Sequence, residues 1–375
     1  MREVGISLDV RSAFGRELKR RVDDYFTSRG LPRHGGRTIA RKAVVLLVWL
    51  ALSWGGMLVA GAGFGAGAGV ALLFGLSAGL AMAGIGMAVQ HDGGHGAFAG
   101  TPQGNRRAAG LFDLLGASSH VWRVKHGHVH HTYTNIVGVD DDISLEPLAR
   151  IAPGQRRRAF HRLQHLYMWP LYGLLGLKWW LYDDFRQVLR GRVGEAKLTR
   201  PRGAEAWRFW GMKVVHGLWA LVIPALVVGW LPALAFYLAA QFVMGLVASV
   251  VFQLAHCVEE AEFIVPSQRA AVLRLDFYAH QVQTTVDFAP QSRALSWLVG
   301  GLNFQIEHHL FPRISHVHYP ALAPIVRATC EAHGIPYKVH DSLAAALRSH
   351  YRWLRRLGRG DVEVEAPAGA PAVAG

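Results

Sequence analysis

The strongest constraint on this chain is the way its apolar residues are blocked into runs. Those at 43–62, 70–90, 212–230 and 232–255 reach about 20 residues, long enough to cross a bilayer as helices. In lipid a spanning segment has to satisfy its own backbone polar groups, and a single run does that as a helix. The first two runs carry many small residues, which suits close helix packing in lipid. Gly61 to Gly69 reads as a tight turn and Gly229 to Pro232 as a second break, so the runs pair as two hairpins. The expected fold is therefore all-α and integral to the membrane, with four transmembrane helices. Two soluble domains, which 375 residues would allow, are not expected.

Composition agrees, with 51% apolar and 18% charged residues. A net charge of +14 suggests nucleic acid until its placement is considered. Much of it precedes the first run (Arg33, Arg37, Arg41, Lys42) or lies between the second and third (Arg106, Arg107, Arg123, Lys125, Arg156, Arg157, Arg158). That is the positive-inside pattern of a membrane protein. No helix-turn-helix, zinc-finger or RNA-binding signature accompanies it, so no nucleic-acid partner is expected. Cys257 and Cys330 have no CxxC spacing and imply no disulfide framework. Cys257, at the end of the last run, reads as a buried inert thiol.

The expected organisation has three parts. Residues 1–42 form an N-terminal cytosolic segment, amphipathic because Phe14, Leu18, Val22 and Phe26 share one helix face. They are charged and polar, so no cleavable signal is expected and the first span is itself the insertion signal. Residues 43–358 form the membrane domain, with the spans and a cytosolic helical cap at 91–211 and 256–358. Within the cap, Phe160 to Phe185 is aromatic (Trp169, Trp179, Trp180) and reads as an interfacial helix. Residues 359–375 are a Pro/Ala/Gly-rich tail expected to be disordered.

The 20 histidines are clustered. His91 and His95 sit four apart in His91-Asp92-Gly93-Gly94-His95, directly after the second span; on a helix both imidazoles face one way. The second cluster is His126-Gly127-His128-Val129-His130-His131. There His126 and His130 repeat the spacing, and His131 turns about 100° away toward a second metal. Gln305-Ile306-Glu307-His308-His309 is the third, and His256 adds one imidazole at the cytosolic end of the last span. A lone histidine is ordinarily a surface or satisfied core residue. Three clusters on one membrane face are costly unless they function. Imidazole suits zinc, copper, iron and nickel. A structural zinc needs only four ligands, and this many imidazoles are enough for two metals with open positions.

These residues resemble the membrane fatty acid desaturase family. The resemblance rests on His91-Asp92-Gly93-Gly94-His95, on Lys125-His126-x-x-x-His130-His131-Thr132-Tyr133-Thr134-Asn135 running on to Asp140-Asp141-Asp142, on Phe252-Gln253-Leu254-Ala255-His256, and on Gln305-Ile306-Glu307-His308-His309. It runs from about residue 10 to about residue 355. Gln305 stands where many members have His, as in the front-end and bacterial acyl desaturases, and Gly127 where Asn is common. The extra imidazole of His128 is expected beside the ligand set rather than in it. No fused cytochrome b5 domain is expected in residues 1–42.

The resemblance implies an O2-dependent oxidoreductase that removes two hydrogens from adjacent methylenes of a fatty acyl chain and leaves a cis double bond. It implies two iron ions on His91, His95, His126, His130, His131, His256, His308 and His309, with His280 a weaker candidate. Asp92, Asp140, Asp141, Asp142 and Glu307 are candidates to orient imidazoles, and Gln305 to contact metal-bound water. Arg106, Arg107, Arg123 and Lys125 read as positive-inside anchors ahead of a carrier-phosphate site. The implied partners are an acyl-CoA or acyl-lipid substrate, membrane lipids, and a separate electron donor such as a ferredoxin or cytochrome b5-like protein with its reductase. The implied location is a bacterial cytoplasmic membrane, with the site on the cytoplasmic face.

A hydroxylase or ketolase on the same metal core is the nearest rival, separated by its products. A zinc or copper transporter would need polar groups inside the spans, which carry few (His216, Gln241). A scaffold without activity leaves the histidine clusters unexplained.

Overall fold

Apolar runs bounded by Gly and Pro become four long helices in the computed structural model, which describes residues 5–65, 67–266 and 272–362. Among the described residues the candidate spans are Gly36–Gly63, Ala68–His95, Ala204–Val228 and Trp230–His256. The first begins before Lys42 and the third before residue 212, so both exceed their apolar runs. Arg37, Arg41 and Lys42, and likewise Glu205 and Arg208, extend these helices beyond the apolar runs.

The second and fourth spans pack most closely, with the first against the second and the third against the fourth. Small residues set the crossing. A Cβ on Gly75 would lie 2.5 Å from the carbonyl oxygen of Phe236, and one on Gly79 2.7 Å from that of Ala240. Glycine lets the backbones meet where association in lipid rests on close contact. Val44, Val45, Leu52, Val59, Leu72 and Leu73 stay exposed on the outer surfaces, as lipid-facing side chains do.

The cap is built from short helices. Ala13–Arg29 is capped by the Ser12 hydroxyl, which accepts from the Gly15 amide, and ends at Gly30 in the left-handed region. Its buried Phe14 and Leu18 join Tyr278, Val282, Ile306 and Leu310, and Val22 and Phe26 join Phe304, Tyr319 and Leu322. The amphipathic N-terminal helix thus packs against the segment carrying the third histidine cluster. Among the described residues the β-structure is short pairings, Gly5–Asp9 with Val272–Asp276, Arg192–Val193 with Ala196–Lys197, and Asp287–Phe288 with Val339–His340, and a bridge between Ile136 and Ile264.

The single interfacial helix expected at 160–185 is not formed. The stretch divides into Ala159–Leu163, Gln164–Tyr172, Leu175–Lys178 and a π turn at Trp179–Asp183. Gly173 lies at the break before Leu175, where Gly weakens helix propensity, and Pro170 sits inside Gln164–Tyr172, where it removes a helical donor near that end. The last helix, Leu343–Arg359, stops at Gly360 in the left-handed region. Of the expected tail, residues 363–375 lie outside the described residues.

A buried ion pair helps tie the third span to the cap. Lys213 Nζ lies 2.5 Å from Asp184 Oδ2, with the side chains 7% and 5% exposed, and also donates to the Gly116 carbonyl. Burial pushes the Asp184 carboxyl up to about 6 despite the lysine. Lys213→Met leaves a buried carboxylate without its partner, and should destabilise the protein by about 3–5 kcal/mol. Lys213→Met with Asp184→Leu should recover most of that. Thermal unfolding in detergent checks both, and equal losses in the single and double variants would contradict the account.

Candidate metal centre

The helix of the second span runs through a π turn at Ile85–Gln90 into His91–His95, so the first cluster is carried by a membrane helix. Its two glycines are explained by packing. A Cβ on Gly93 would lie 2.6 Å from the Ala109 nitrogen, and one on Gly94 would overlap the Trp122 ring. Trp122 stacks on His126 at 4.8 Å between centroids and sets its edge against His91 and His95. The close glycine surface therefore brings the first two clusters together.

The second cluster sits in another π turn, Lys125–His130. Ring nitrogens of His91, His95, His126 and His308 form one group within 4.8 Å, and those of His130, His256 and His309 another. His131 groups with His308 and His309, and its Nε2 is 3.3 Å from His126 Nε2. A fourth group is His126, His130 and Asp142, so the two rings spaced by four residues share a group through that carboxylate and otherwise fall in different imidazole groups. The wider π turn, common at functional sites, changes the angular relation an α-helix would give.

The eight expected imidazoles are brought together and mostly buried. Nε2 of His95, His130, His308 and His309, Nδ1 of His131, and both ring nitrogens of His256 are buried without hydrogen-bond partners. Unpartnered buried polar atoms are costly, and this donor set fits metal ions. Burial, then neighbouring imidazoles, pushes His131, His308 and His309 well below the usual range. They are held neutral, the form that ligates a metal. Burial also opposes the charged form of His130, but Asp140 and then Asp142 outweigh it and raise its pKa.

A profile of the fatty acid desaturase family matches residues 66–340, well over half of the chain. The chain belongs to the fatty acid desaturase family. It is accordingly an oxidoreductase that places a double bond in an acyl chain. It is similar to the sn-1 linoleoyl-lipid 6-desaturase of Synechocystis sp., 32% identical over 94% of this chain and 98% of the relative. The enzyme of the same name from Arthrospira platensis is 34% identical over 92% of each chain. The acyl-lipid (8-3)-desaturase of Physcomitrium patens is 34% identical over 91% of this chain and 71% of its own.

In this desaturase the outer ring nitrogens have specific partners. His130 Nδ1 is 2.9 Å from Asp140 Oδ2, and His126 Nδ1 is 3.4 Å from Asp142 Oδ2. Asp140 also accepts from the amides of Asn135 and Asp142. Asn135, at φ 54°, donates its side-chain amide to the carbonyl of His256, joining the second cluster to the fourth span. His309 Nδ1 meets Gln281 Oε1 at 2.9 Å, and His308 Nδ1 meets the Tyr319 hydroxyl at 3.2 Å. Gln281 and Tyr319 were not singled out in the sequence. Gln281 adjoins His280, the one local hint, and Tyr319 follows a run whose histidines lie elsewhere.

The remaining candidates have other neighbours. Asp92 accepts from Ser315 and lies 3.0 Å from His316 Nδ1; Asp141 pairs with Lys125. Glu307 turns toward the Tyr337 hydroxyl, 3.0 Å away, and Asp287. So Asp140 and Asp142 sit on clustered imidazoles, whereas Asp92, Asp141 and Glu307 do not. His128 is exposed. His280 is buried, pushed down to about 4 by burial and without ring partners, yet lies outside the four groups.

A cavity of about 590 Å³ reaches the cluster. His91, His126, His308 and Gln305 line it, with apolar walls that include Met87, Met244 and Phe252. Asp140→Ala should weaken metal retention 10- to 100-fold, because the carboxylate fixes and strengthens His130. Metal content after dialysis against graded chelator checks this; retention equal to wild type would remove Asp140 from that role.

Proposed function

We propose that this desaturase acts on an acyl chain held by a membrane lipid, with O2 as co-substrate and two iron ions as cofactor. His91, His95, His126 and His308 would hold one ion, and His130, His256 and His309 the other, with His131 between them. Bound there, iron supplies the oxygen chemistry needed to break unactivated C–H bonds. The observation that carries the reading is that the imidazole cluster opens on an apolar cavity of acyl-chain character.

The chain's own residues do the placing. The cavity walls hold the acyl chain in extended contact and exclude water. His91, His126 and His308 bring one end of that cavity to the metal side, and Gln305 offers a neutral polar group where an imidazole would add charge. Asp140 and Asp142 fix the rings of His130 and His126 and balance positive charge. The relatives act by name on acyl-lipids, and that carrier is proposed here over acyl-CoA. Residues 43–358 would be the membrane domain and 1–42 a cytosolic segment. The arginine and lysine bias supports a cytoplasmic site in a bacterial inner membrane, fed by a separate electron donor.

The test is fatty acid methyl-ester analysis of cells expressing the chain beside a His308→Ala, His309→Ala variant. A new unsaturated species formed only by the intact chain is expected. Hydroxylated products in its place would move the activity to hydroxylation, and an unchanged profile in cells holding the iron-loaded protein and a working donor would overturn the reading.

A further inference from the structure

Electron balance requires a contact that the cavity does not provide. Forming one C=C bond releases two electrons and two protons from the substrate, whereas reducing O2 to two waters consumes four of each. Two electrons and two protons must therefore enter from outside. This inference rests on the desaturase reading above.

The final helix offers a surface for the electron source. Arg348, Arg352, Arg355 and Arg359 recur at intervals of four, three and four residues, and all are exposed, as is Arg356. Arg157 extends the stripe by donating to the Arg359 carbonyl at 2.7 Å. Glu259 pairs with Arg352 at 2.8 Å and Arg356 at 3.1 Å. Among the described residues no carboxylate pairs with Arg348, Arg355 or Arg359. Uncompensated arginines on one stripe attract an acidic surface and steer its approach.

The opposite face of the same helix is joined to the metal side. His350 is buried, and its Nδ1 is 2.7 Å from the Cys257 carbonyl. A carbonyl only accepts, so Nδ1 carries the proton and Nε2 accepts from the Tyr172 hydroxyl at 2.8 Å. Cys257 directly follows His256 of the cluster. A partner seated on the arginines would be separated from that segment by about one helix diameter, roughly 10 Å. Exposed Phe160, Leu163 and Leu166, on the helices Ala159–Leu163 and Gln164–Tyr172 that pack against this one, mark the edge suited to lipid.

We propose that the arginine stripe of Leu343–Arg359 is the docking surface for an acidic one-electron redox protein, which delivers electrons toward the His256 side of the centre. The test uses the full chain in zwitterionic nanodiscs, with reduced [2Fe–2S] ferredoxin as probe. Arg348→Gln, Arg355→Gln and Arg359→Gln are combined, with Arg192→Gln, Arg200→Gln and Arg202→Gln as an equal-charge control. The stripe variant should raise the KM for ferredoxin at least about tenfold and flatten its salt dependence. Turnover driven by dithionite with a small mediator should not change, and the control should behave as wild type.

Equal KM values for the two triple variants would overturn the proposal. So would a defect seen only in anionic bilayers, which would assign the stripe to lipid headgroups. If dithionite yields no product from the wild type, the desaturase reading fails separately. Calorimetric binding of oxidised ferredoxin then decides the docking: loss in the stripe variant alone supports it, and equal binding by all three proteins refutes it.

Discussion

Replacing His308 with alanine is expected to abolish double-bond formation and leave the purified protein with about half the metal of the wild type. His308 belongs to the group with His91, His95 and His126, whereas His309 belongs to the group with His130 and His256. Each substitution should therefore deplete mainly its own ion, and the double variant should lose both. The apo protein should lose only modest stability: the change takes a partner from the Tyr319 hydroxyl or from Gln281 Oε1, but Nε2 of either ring is buried without a partner. Removing an unsatisfied buried group relieves a desolvation cost of about 1–3 kcal/mol, which offsets part of the lost packing. The metal-loaded protein behaves differently, because binding to the folded state adds stability. Wild type should melt well above its chelated form, and the double variant should show little difference with or without metal. Metal analysis, melting curves and methyl-ester profiles together check this. Full metal content in His308→Ala would remove that residue from the ligand set, whatever happened to activity.

The spans and the histidine clusters were legible because each is a local pattern. An apolar run of sufficient length has few alternatives to a membrane helix, and the recurrence of His91/His95, His126/His130/His131 and His308/His309 is visible without knowing the fold. The division of those rings was not legible. His126 and His130 share a group with Asp142 yet otherwise divide between two imidazole groups, and nothing in Lys-His-Gly-His-Val-His announces the π turn at Lys125–His130. Long-range partners were equally hidden. Gln281 and Tyr319 meet His309 and His308 only because the cap folds over the ends of the spans. Carboxylates gave mixed guidance for the same reason. Asp140 and Asp142 follow the second cluster closely and reach it, whereas Glu307 adjoins His308 in sequence but points to Asp287 and Tyr337.

Filling the cavity at Gly86 is expected to separate acyl binding from metal binding. Gly86 lines the cavity and lies five residues before His91, inside the π turn Ile85–Gln90. A Cβ there meets no atom within 4 Å, so a larger side chain enters open space rather than the protein. Gly86→Ala should be close to neutral, since alanine favours the helix and adds little volume. Gly86→Phe should displace about four methylenes of a long acyl chain. At about 0.8 kcal/mol for each methylene kept from burial, the loss is about 3 kcal/mol, or a 100- to 300-fold fall in kcat/KM. Gly86→Leu should fall between. Shorter acyl chains that do not reach the obstruction should retain turnover, and metal content should match wild type throughout the series. That combination distinguishes an obstructed cavity from a damaged metal centre, where short and long substrates fail together. If Gly86→Phe processes long chains at the wild-type rate, the acyl chain does not occupy this cavity, and the substrate path must approach the histidines from another side.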